Sequence, residues 1–288
     1  MHQTAAQIRE HEDGMSYGDF MRMSKLIYEK CGIKMPDTKK TMLEARLGKR
    51  LKEMKMRSFH EYCDYLFSRK GMERELVIMI DLVTTNKTDF FREPSHFDHM
   101  LHKILPEWIT SRTSVSAKKF KVWSAGCSTG EEPYTLAMVL CEFAAECPGF
   151  DYSIMATDIS TRVLETAVRG VYEEEKVIPV PLALKKKYLL KSKDKKIGLV
   201  RIVPELREKI RFRRLNFMDT DFGISEKFDI IFCRNVVIYF DSNTQERLLN
   251  KFYSLMAKDA HLFMGHSETI NGLKVPLVMV YPTVYRKK

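Results

Sequence analysis

Residues 122–132 read VWSAGCSTGEE and run directly into PYTLAMVL. An apolar stretch (Phe120, Val122, Trp123) enters a turn of small residues containing Gly126 and Gly130, and the pattern Tyr134, Leu136, Ala137, Val139, Leu140 then marks an amphipathic helix. The spacing predicts a strand, a glycine loop and a helix. Glycines at such a junction let the backbone approach a ligand and expose the amides at the helix start, which suits a polar cofactor. The same letters, Gly126-Cys127-Ser128-Thr129-Gly130, also fit the G-x-S-x-G turn that presents a nucleophilic serine in α/β-hydrolases. A plain structural turn with no ligand is the third possibility, because a lone glycine pair is a weak signal.

The first eighty or so residues are helical in pattern: Phe20, Met23, Ile27 and Tyr28 recur at helical spacing, then Met42, Leu43, Leu47, Leu51 and Met54, then Phe59, Tyr62, Tyr65 and Leu66. A further apolar helix, Leu76 to Val83, leads into the polar stretch TTNKTDFFREP. We therefore expect a helical domain over 1–83, a linker over 84–95 and a second domain over 96–288. In that second part strand candidates (Phe120 to Ser124, Tyr152 to Thr157, Arg211 to Asn216, Phe228 to Cys233, Ala260 to Gly265) alternate with helices over 131–146, 160–169 and 243–257. A hairpin of Leu277 to Tyr281 and Val284 to Arg286 closes the pattern, which is that of a doubly wound α/β sheet. Residues 171–210 interrupt it with Lys185, Lys186, Lys187, Lys191, Lys193, Lys195 and Lys196 and a short apolar piece, Leu199 to Val203, and read as an inserted subdomain.

The six cysteines are scattered without a C-x-x-C pair, the first residues lack the apolar core of a signal peptide, and no apolar run reaches the length that spans a bilayer. A reduced cytoplasmic setting without membrane insertion is expected. The net charge of +10 is compatible with nucleic acid, an anionic membrane face or an acidic protein partner. Its densest block lies between Lys39 and Arg57, with eight basic residues against Glu44 and Glu53; such blocks often only solvate a helix face.

A hydrolase would need an acid and then a histidine after Ser128, for which Asp158 or Asp229 and His261 or His266 are available. The serine here follows the first strand of the sheet, with only helix-like sequence before it. Downstream, the strand YSIMAT ends in Asp158, where a carboxylate can accept hydrogen bonds from both hydroxyls of a ribose. No full G-x-G-x-x-G is present, which disfavours a dinucleotide. Glu131 and Glu132 at the helix start would repel a diphosphate but tolerate the sulfonium and amino group of S-adenosylmethionine. His96, His99 and His102 fall at i, i+3 and i+6 without the i, i+4 pair of helical zinc sites, so they read as an incidental helix face and no metal is expected. His266 reads as structural.

Taken together, WSAGCSTGEEPYTLAM, ATDIS, FDIIFCRNVVIYF, LFMGHSE and the linker segment TNKTDFFREPSHF resemble the bacterial chemotaxis receptor glutamate methyltransferases, the CheR family, in order from about residue 16 to 286. The resemblance implies a small all-α N-terminal domain, a class I (Rossmann-like) methyltransferase domain and a small β subdomain inserted in it. It implies S-adenosylmethionine as cofactor and S-adenosylhomocysteine as product. It places Asn86, Thr88 and Arg92 at the cofactor from the linker, with Gly126 and Glu131 or Glu132 from the glycine loop and Asp158 at the ribose. Asn216 and Phe217 would flank the adenine, and Arg234 with Asn235 would lie near the methionine part. The implied partners are the cytoplasmic methylation helices of chemoreceptors, toward which Lys49, Arg50 and Lys52 would steer an acidic surface.

The implied reaction is methyl transfer to a glutamate carboxylate, with Arg92 steering that carboxylate and Tyr239 orienting it. Some family members grip a pentapeptide tail through a glycine-rich turn of the inserted subdomain. Here the stretch reads KSKDKKIGLV with only Gly198, which puts that tether in doubt. A nucleic-acid methyltransferase is disfavoured because RNVVIY stands where the N/D-P-P-Y/F loop would be. A module that binds S-adenosylmethionine without catalysis and, more remotely, the serine hydrolase stay open on the sequence.

Overall fold

A computed structural model describes residues 14–111, 119–194 and 198–288, so Lys195 and Lys196 of the lysine-rich stretch lie outside the described residues. The chain divides into two units, one running to Thr85 and taking in Tyr239–Asp241, the other made of Asn86–Ile238 and Ser242–Lys288.

The first unit is helical: α1 (Tyr17–Cys31), α2 (Lys40–Glu53), α3 (Phe59–Phe67), α4 (Arg69–Arg74) and α5 (Leu76–Val83). Ser16 and Ser58 cap α1 and α3 by accepting the amides of Asp19 and Glu61, and Gly32 ends α1 in the left-handed conformation at φ 71°. The apolar positions read from the sequence form its core, with Phe20, Met23, Ile27, Leu43, Leu47, Tyr62 and Leu66 all buried. Three carboxylates, Asp19, Glu75 and Asp81, are buried with them. Glu75, 2% exposed, receives the Arg50 guanidinium through two bonds of 2.8 and 2.7 Å and the Tyr62 hydroxyl at 3.2 Å.

The second unit opens with α6 (Pro94–His99), a π-helical turn at Met100–Ile104 and α7 (Leu105–Thr110). Its sheet comprises β1 (Phe120–Ala125), β2 (Tyr152–Asp158), β6 (Ile210–Arg214), β7 (Phe228–Cys233), β8 (Met256–Met264), β9 (Leu277–Tyr281) and β10 (Val284–Lys287). Their order across the sheet is β6-β2-β1-β7-β8-β10-β9. All neighbouring pairs from β6 to β8 are parallel, and β10 runs antiparallel to both β8 and β9. This is the class I methyltransferase arrangement. The central strands are near-continuous apolar runs, as parallel strands covered on both faces require.

The helices α8 (Glu131–Glu146), α9 (Thr161–Arg169) and α12 (Ser242–Leu255) connect the strands. Between α9 and β6 lies a separate antiparallel sheet in the order β3-β5-β4, made of β3 (Val171–Glu173), β4 (Leu189–Lys191) and β5 (Leu199–Ile202), with the short helices α10 (Leu182–Tyr188) and α11 (Pro204–Arg207). Ile210 already belongs to the main sheet. The third main-sheet strand ends at Arg214 rather than reaching Asn216, because the Asn216 side chain accepts the Met218 amide at 3.0 Å and turns the chain. Among the described residues no helix is long and apolar enough to cross a membrane.

Candidate functional site

In an open parallel sheet, ligands bind beyond the carboxyl ends of the strands where the strand order reverses. Here β1 lies between β2 and β7, and register sets Ala125 beside Thr157, Asp158 beside Arg214 and Ser124 beside Phe232. The segments that follow these strands, starting at Gly126, Ile159, Leu215 and Arg234, therefore leave the sheet at one edge.

The glycine loop is anchored to β2. Gly126 and Cys127 both donate to the Thr157 carbonyl, at 2.8 and 2.9 Å. Gly126 (φ 86°), Ser128 (φ 48°) and Gly130 (φ 100°) take left-handed conformations. A methyl group on Gly126 would stand 2.6 Å from Val236, so glycine is required for contact as well as for dihedral angle. Asp158 accepts the amides of Ser128 at 2.9 Å and Ser160 at 3.0 Å, one on each oxygen.

The serine elbow does not form. The Ser128 hydroxyl donates to the Asn86 carbonyl at 3.0 Å, which lays the linker against the loop. Asp229 accepts the Trp108 indole N–H at 2.8 Å and the Lys121 amide at 2.9 Å, and His261 on β8 lies near Arg286, His99 and Glu107.

The two acids at the start of α8 have separate roles. Glu132 receives the Ser124 hydroxyl at 2.7 Å and Arg234 Nε at 2.8 Å. Arg234 also donates to the Arg92 carbonyl at 2.6 Å and packs against the stacked rings of Phe97 and Phe232, 5.2 and 5.4 Å from their centroids. Glu132 thus neutralises an internal guanidinium, and Arg234 is a buried cross-link between the linker and α8; neither is free for a methyl donor. The sequence could not separate Glu131 from Glu132, because only the tertiary position of Arg234 does so. Glu131, 2% exposed, accepts the Thr129 hydroxyl at 2.6 Å, and among the described residues no cation lies within ion-pair distance of it. Burial holds its carboxyl above the usual range, and a cationic ligand would relieve that cost.

Of the other expected site residues, Phe217 is half-buried, with its ring edge-on to Phe252 at 5.6 Å, beside the turn formed by Asn216. Asn235 is left-handed at φ 59°. Thr88 is half-buried on the linker, and among the described residues Arg92 donates only to the Lys87 carbonyl at 3.2 Å. Tyr239 groups with the helical unit, where its carbonyl accepts the Lys34 amide at 2.9 Å; its phenol makes no hydrogen bond among the described residues. In that unit Lys49 and Lys52 are exposed, whereas Arg50 is held by Glu75 and is not a free steering charge.

Two groups escaped the sequence reading. Glu268, 4% exposed, gathers the amides of Asn235 (2.8 Å), Val236 (2.9 Å), Val237 (2.9 Å), Ile238 (3.4 Å) and Gly265 (2.7 Å) on one carboxylate. It shapes the loop after β7, yet in LFMGHSE it looks like any acid in a surface turn. The second group is Glu93 with His96. His96 is fully buried, its Nε2 hydrogen-bonded with the Thr283 hydroxyl at 2.9 Å and its Nδ1 lying 3.4 Å from Arg234 Nη1.

The expectation of an incidental histidine face is therefore corrected. His99 stacks on Tyr281 at 4.3 Å, and only His102 is exposed. The π turn at Met100–Ile104 changes the winding from which that face was read. Ligand atoms of Glu93, His96 and His266 lie within 4.8 Å of one another, but the Arg234 guanidinium, 3.5 Å from Glu93 and 3.4 Å from His96, already supplies the positive charge there.

Residues 86–285 match the family model described as "CheR methyltransferase, SAM binding domain", and residues 18–84 match "CheR methyltransferase, all-alpha domain". A chemotaxis protein methyltransferase of Borreliella burgdorferi is 43% identical over 270 residues, covering 93% of this chain and 94% of that protein. Chemotaxis protein methyltransferase 2 of Pseudomonas aeruginosa is 36% identical, covering 93% of this chain and 92% of its own length. The Escherichia coli chemotaxis protein methyltransferase is also 36% identical, covering 94% and 91%. With both family domains matched in order and relatives 43% and 36% identical over nearly its whole length, the chain belongs to the CheR methyltransferase family.

Proposed function

We infer that the protein is a protein-glutamate O-methyltransferase that transfers a methyl group from S-adenosylmethionine to side-chain carboxylates of chemoreceptors, releasing S-adenosylhomocysteine. The observation that carries this reading is the match of one chain to both the all-alpha and the SAM-binding CheR domains over 18–84 and 86–285. When bound, the cofactor supplies an electrophilic methyl group on a sulfonium. This chain's part is to hold and align. Asp158 receives the ribose, Phe217 and the Asn216 turn flank the adenine, and Glu131 faces the cationic end. A glutamate acceptor has an unperturbed pKa near about 4.3, so it is already an anion at neutral pH and needs no strong base. Rate then comes from keeping oxygen, methyl carbon and sulfur in line and excluding water.

Arg92 steers the acceptor carboxylate, its guanidinium donating among the described residues only to the Lys87 carbonyl. The substrate is the acidic cytoplasmic methylation region of a receptor, with Lys49 and Lys52 favouring its approach. The test is incubation with tritiated S-adenosylmethionine and receptor-bearing membranes, followed by mild alkali. Base-labile label is expected, with turnover at saturating substrates reduced about tenfold or more in Arg92→Ala. Alkali-stable label, or cofactor binding without any label, would reject the carboxyl-methyl reading in favour of another acceptor or a non-catalytic module. Unchanged turnover in Arg92→Ala would remove that residue from the mechanism.

A further inference from the structure

The inserted antiparallel sheet reaches into the glycine loop through one side chain. Tyr172, the middle residue of β3, is 5% exposed, and its hydroxyl donates to the Thr129 carbonyl at 2.7 Å. Its ring is held edge-on by Phe90 of the linker at 5.1 Å and by Tyr134 of α8 at 6.2 Å. A second tie joins the same segments, since Lys176 lies 3.8 Å from Asp89.

We propose that Tyr172 is a positioning residue for cofactor binding: by holding the Thr129 carbonyl it fixes the second half of the loop and the presentation of Glu131. The loop carries a strained left-handed conformation at Ser128, which persists only where surrounding contacts over-determine it, whereas Gly126 and Gly130 reach positive φ without that cost. The first half has those contacts, because Thr157 and Asp158 of β2 hold Gly126, Cys127 and Ser128. The second half is held from β3. Thr129 is fixed through its carbonyl by Tyr172, and its hydroxyl in turn donates to Glu131 at 2.6 Å. Gly130 is sterically matched to the same phenol, since a methyl group there would stand 2.8 Å from the Tyr172 oxygen. Loss of the hydroxyl leaves a carbonyl without its donor and frees Thr129, and with it the carboxylate meant for the cationic end of the cofactor.

Tyr134 is a built-in control. It is another buried tyrosine whose hydroxyl donates to a backbone carbonyl, that of Ala167, at 2.7 Å. Its tie to the loop is the backbone amide, which donates to the Gly130 carbonyl at 3.1 Å and is kept in a Phe variant. The proposal rests on the reading of the loop as a cofactor cradle, so the experiment separates the two. S-adenosylhomocysteine binding at equilibrium, the KM of each substrate and the thermal midpoint are measured for the parent, Tyr172→Phe and Tyr134→Phe. We expect Tyr172→Phe to weaken cofactor binding about 5- to 20-fold, as for a lost hydrogen bond to a buried group. The loss should fall on the cofactor's KM, with kcat and the receptor's KM changed less than about twofold. Tyr134→Phe should lower the midpoint about as much as Tyr172→Phe does, since each loses one buried hydrogen bond, but with cofactor affinity within about twofold of the parent. Cofactor affinity retained in Tyr172→Phe, or lost equally in both variants, overturns the proposal while the cradle stands. A parent protein that binds no S-adenosylhomocysteine overturns the cradle and the proposal together.

Discussion

His96 is uncharged at neutral pH because burial, and after it the neighbouring Arg234 guanidinium, push its pKa down to about 4. His261 is lowered to about 4 as well, by burial first and then by Arg286. In the unfolded chain both titrate near about 6.5, so between there and pH 4 the unfolded state binds protons that the folded state refuses. Their contribution is complete above about pH 6.5 and is lost as pH falls toward 4, on the order of 3 kcal/mol for each histidine. Urea unfolding at pH 7 and pH 4.5 checks this. The parent should lose stability across that window and His96→Gln/His261→Gln should lose much less, whatever its stability at pH 7; equal slopes would contradict the assignment. Asp151 does not confuse the window, because its carboxyl, lowered to about 2 where Lys209 and Lys119 offset its burial, titrates below it.

At the scale of elements, the loop after β7 is built by a residue distant in sequence. Glu268 turns the amides of residues 235–238 toward one point, which gives Asn235 its left-handed backbone and brings its side chain to 2.5 Å from where a methyl on Gly265 would stand. Glu268→Gln keeps the shape but sets an NH2 donor against amides that also donate. The expected cost is about 1–3 kcal/mol for each group left unsatisfied, with weaker S-adenosylhomocysteine binding through the displaced loop. Thermal unfolding and equilibrium binding test it; an unchanged midpoint together with unchanged affinity would show that the carboxylate is dispensable.

Over the whole molecule the excess of positive charge has two components that behave differently. Lys49 and Lys52 are exposed, so reversing both to Glu should raise the apparent KM for the receptor and flatten its salt dependence, without altering the cofactor's KM. Initial rates at several ionic strengths decide this, and an unchanged salt dependence would reject the steering role. Arg50→Glu should instead unfold the helical unit more readily, because it sets a second carboxylate beside buried Glu75.

The local patterns in the chain were sufficient for the helical N-terminal domain, the alternation of strands and helices, the glycine loop and Asp158 at a strand end. Those features depend on periodicity and on residues a few positions apart, so a linear reading reaches them. Tertiary structure alone decided which of two adjacent glutamates remains available to a cation, since the choice rests on Arg234, about a hundred residues downstream. It also decided that Arg50 is a structural partner, that His96 is a neutral core group, and that Glu268 and Tyr172 organise loops remote in sequence. A buried charge or hydroxyl takes its role from whichever partner the fold brings within about 3 Å, and the order of residues along the chain does not record that distance.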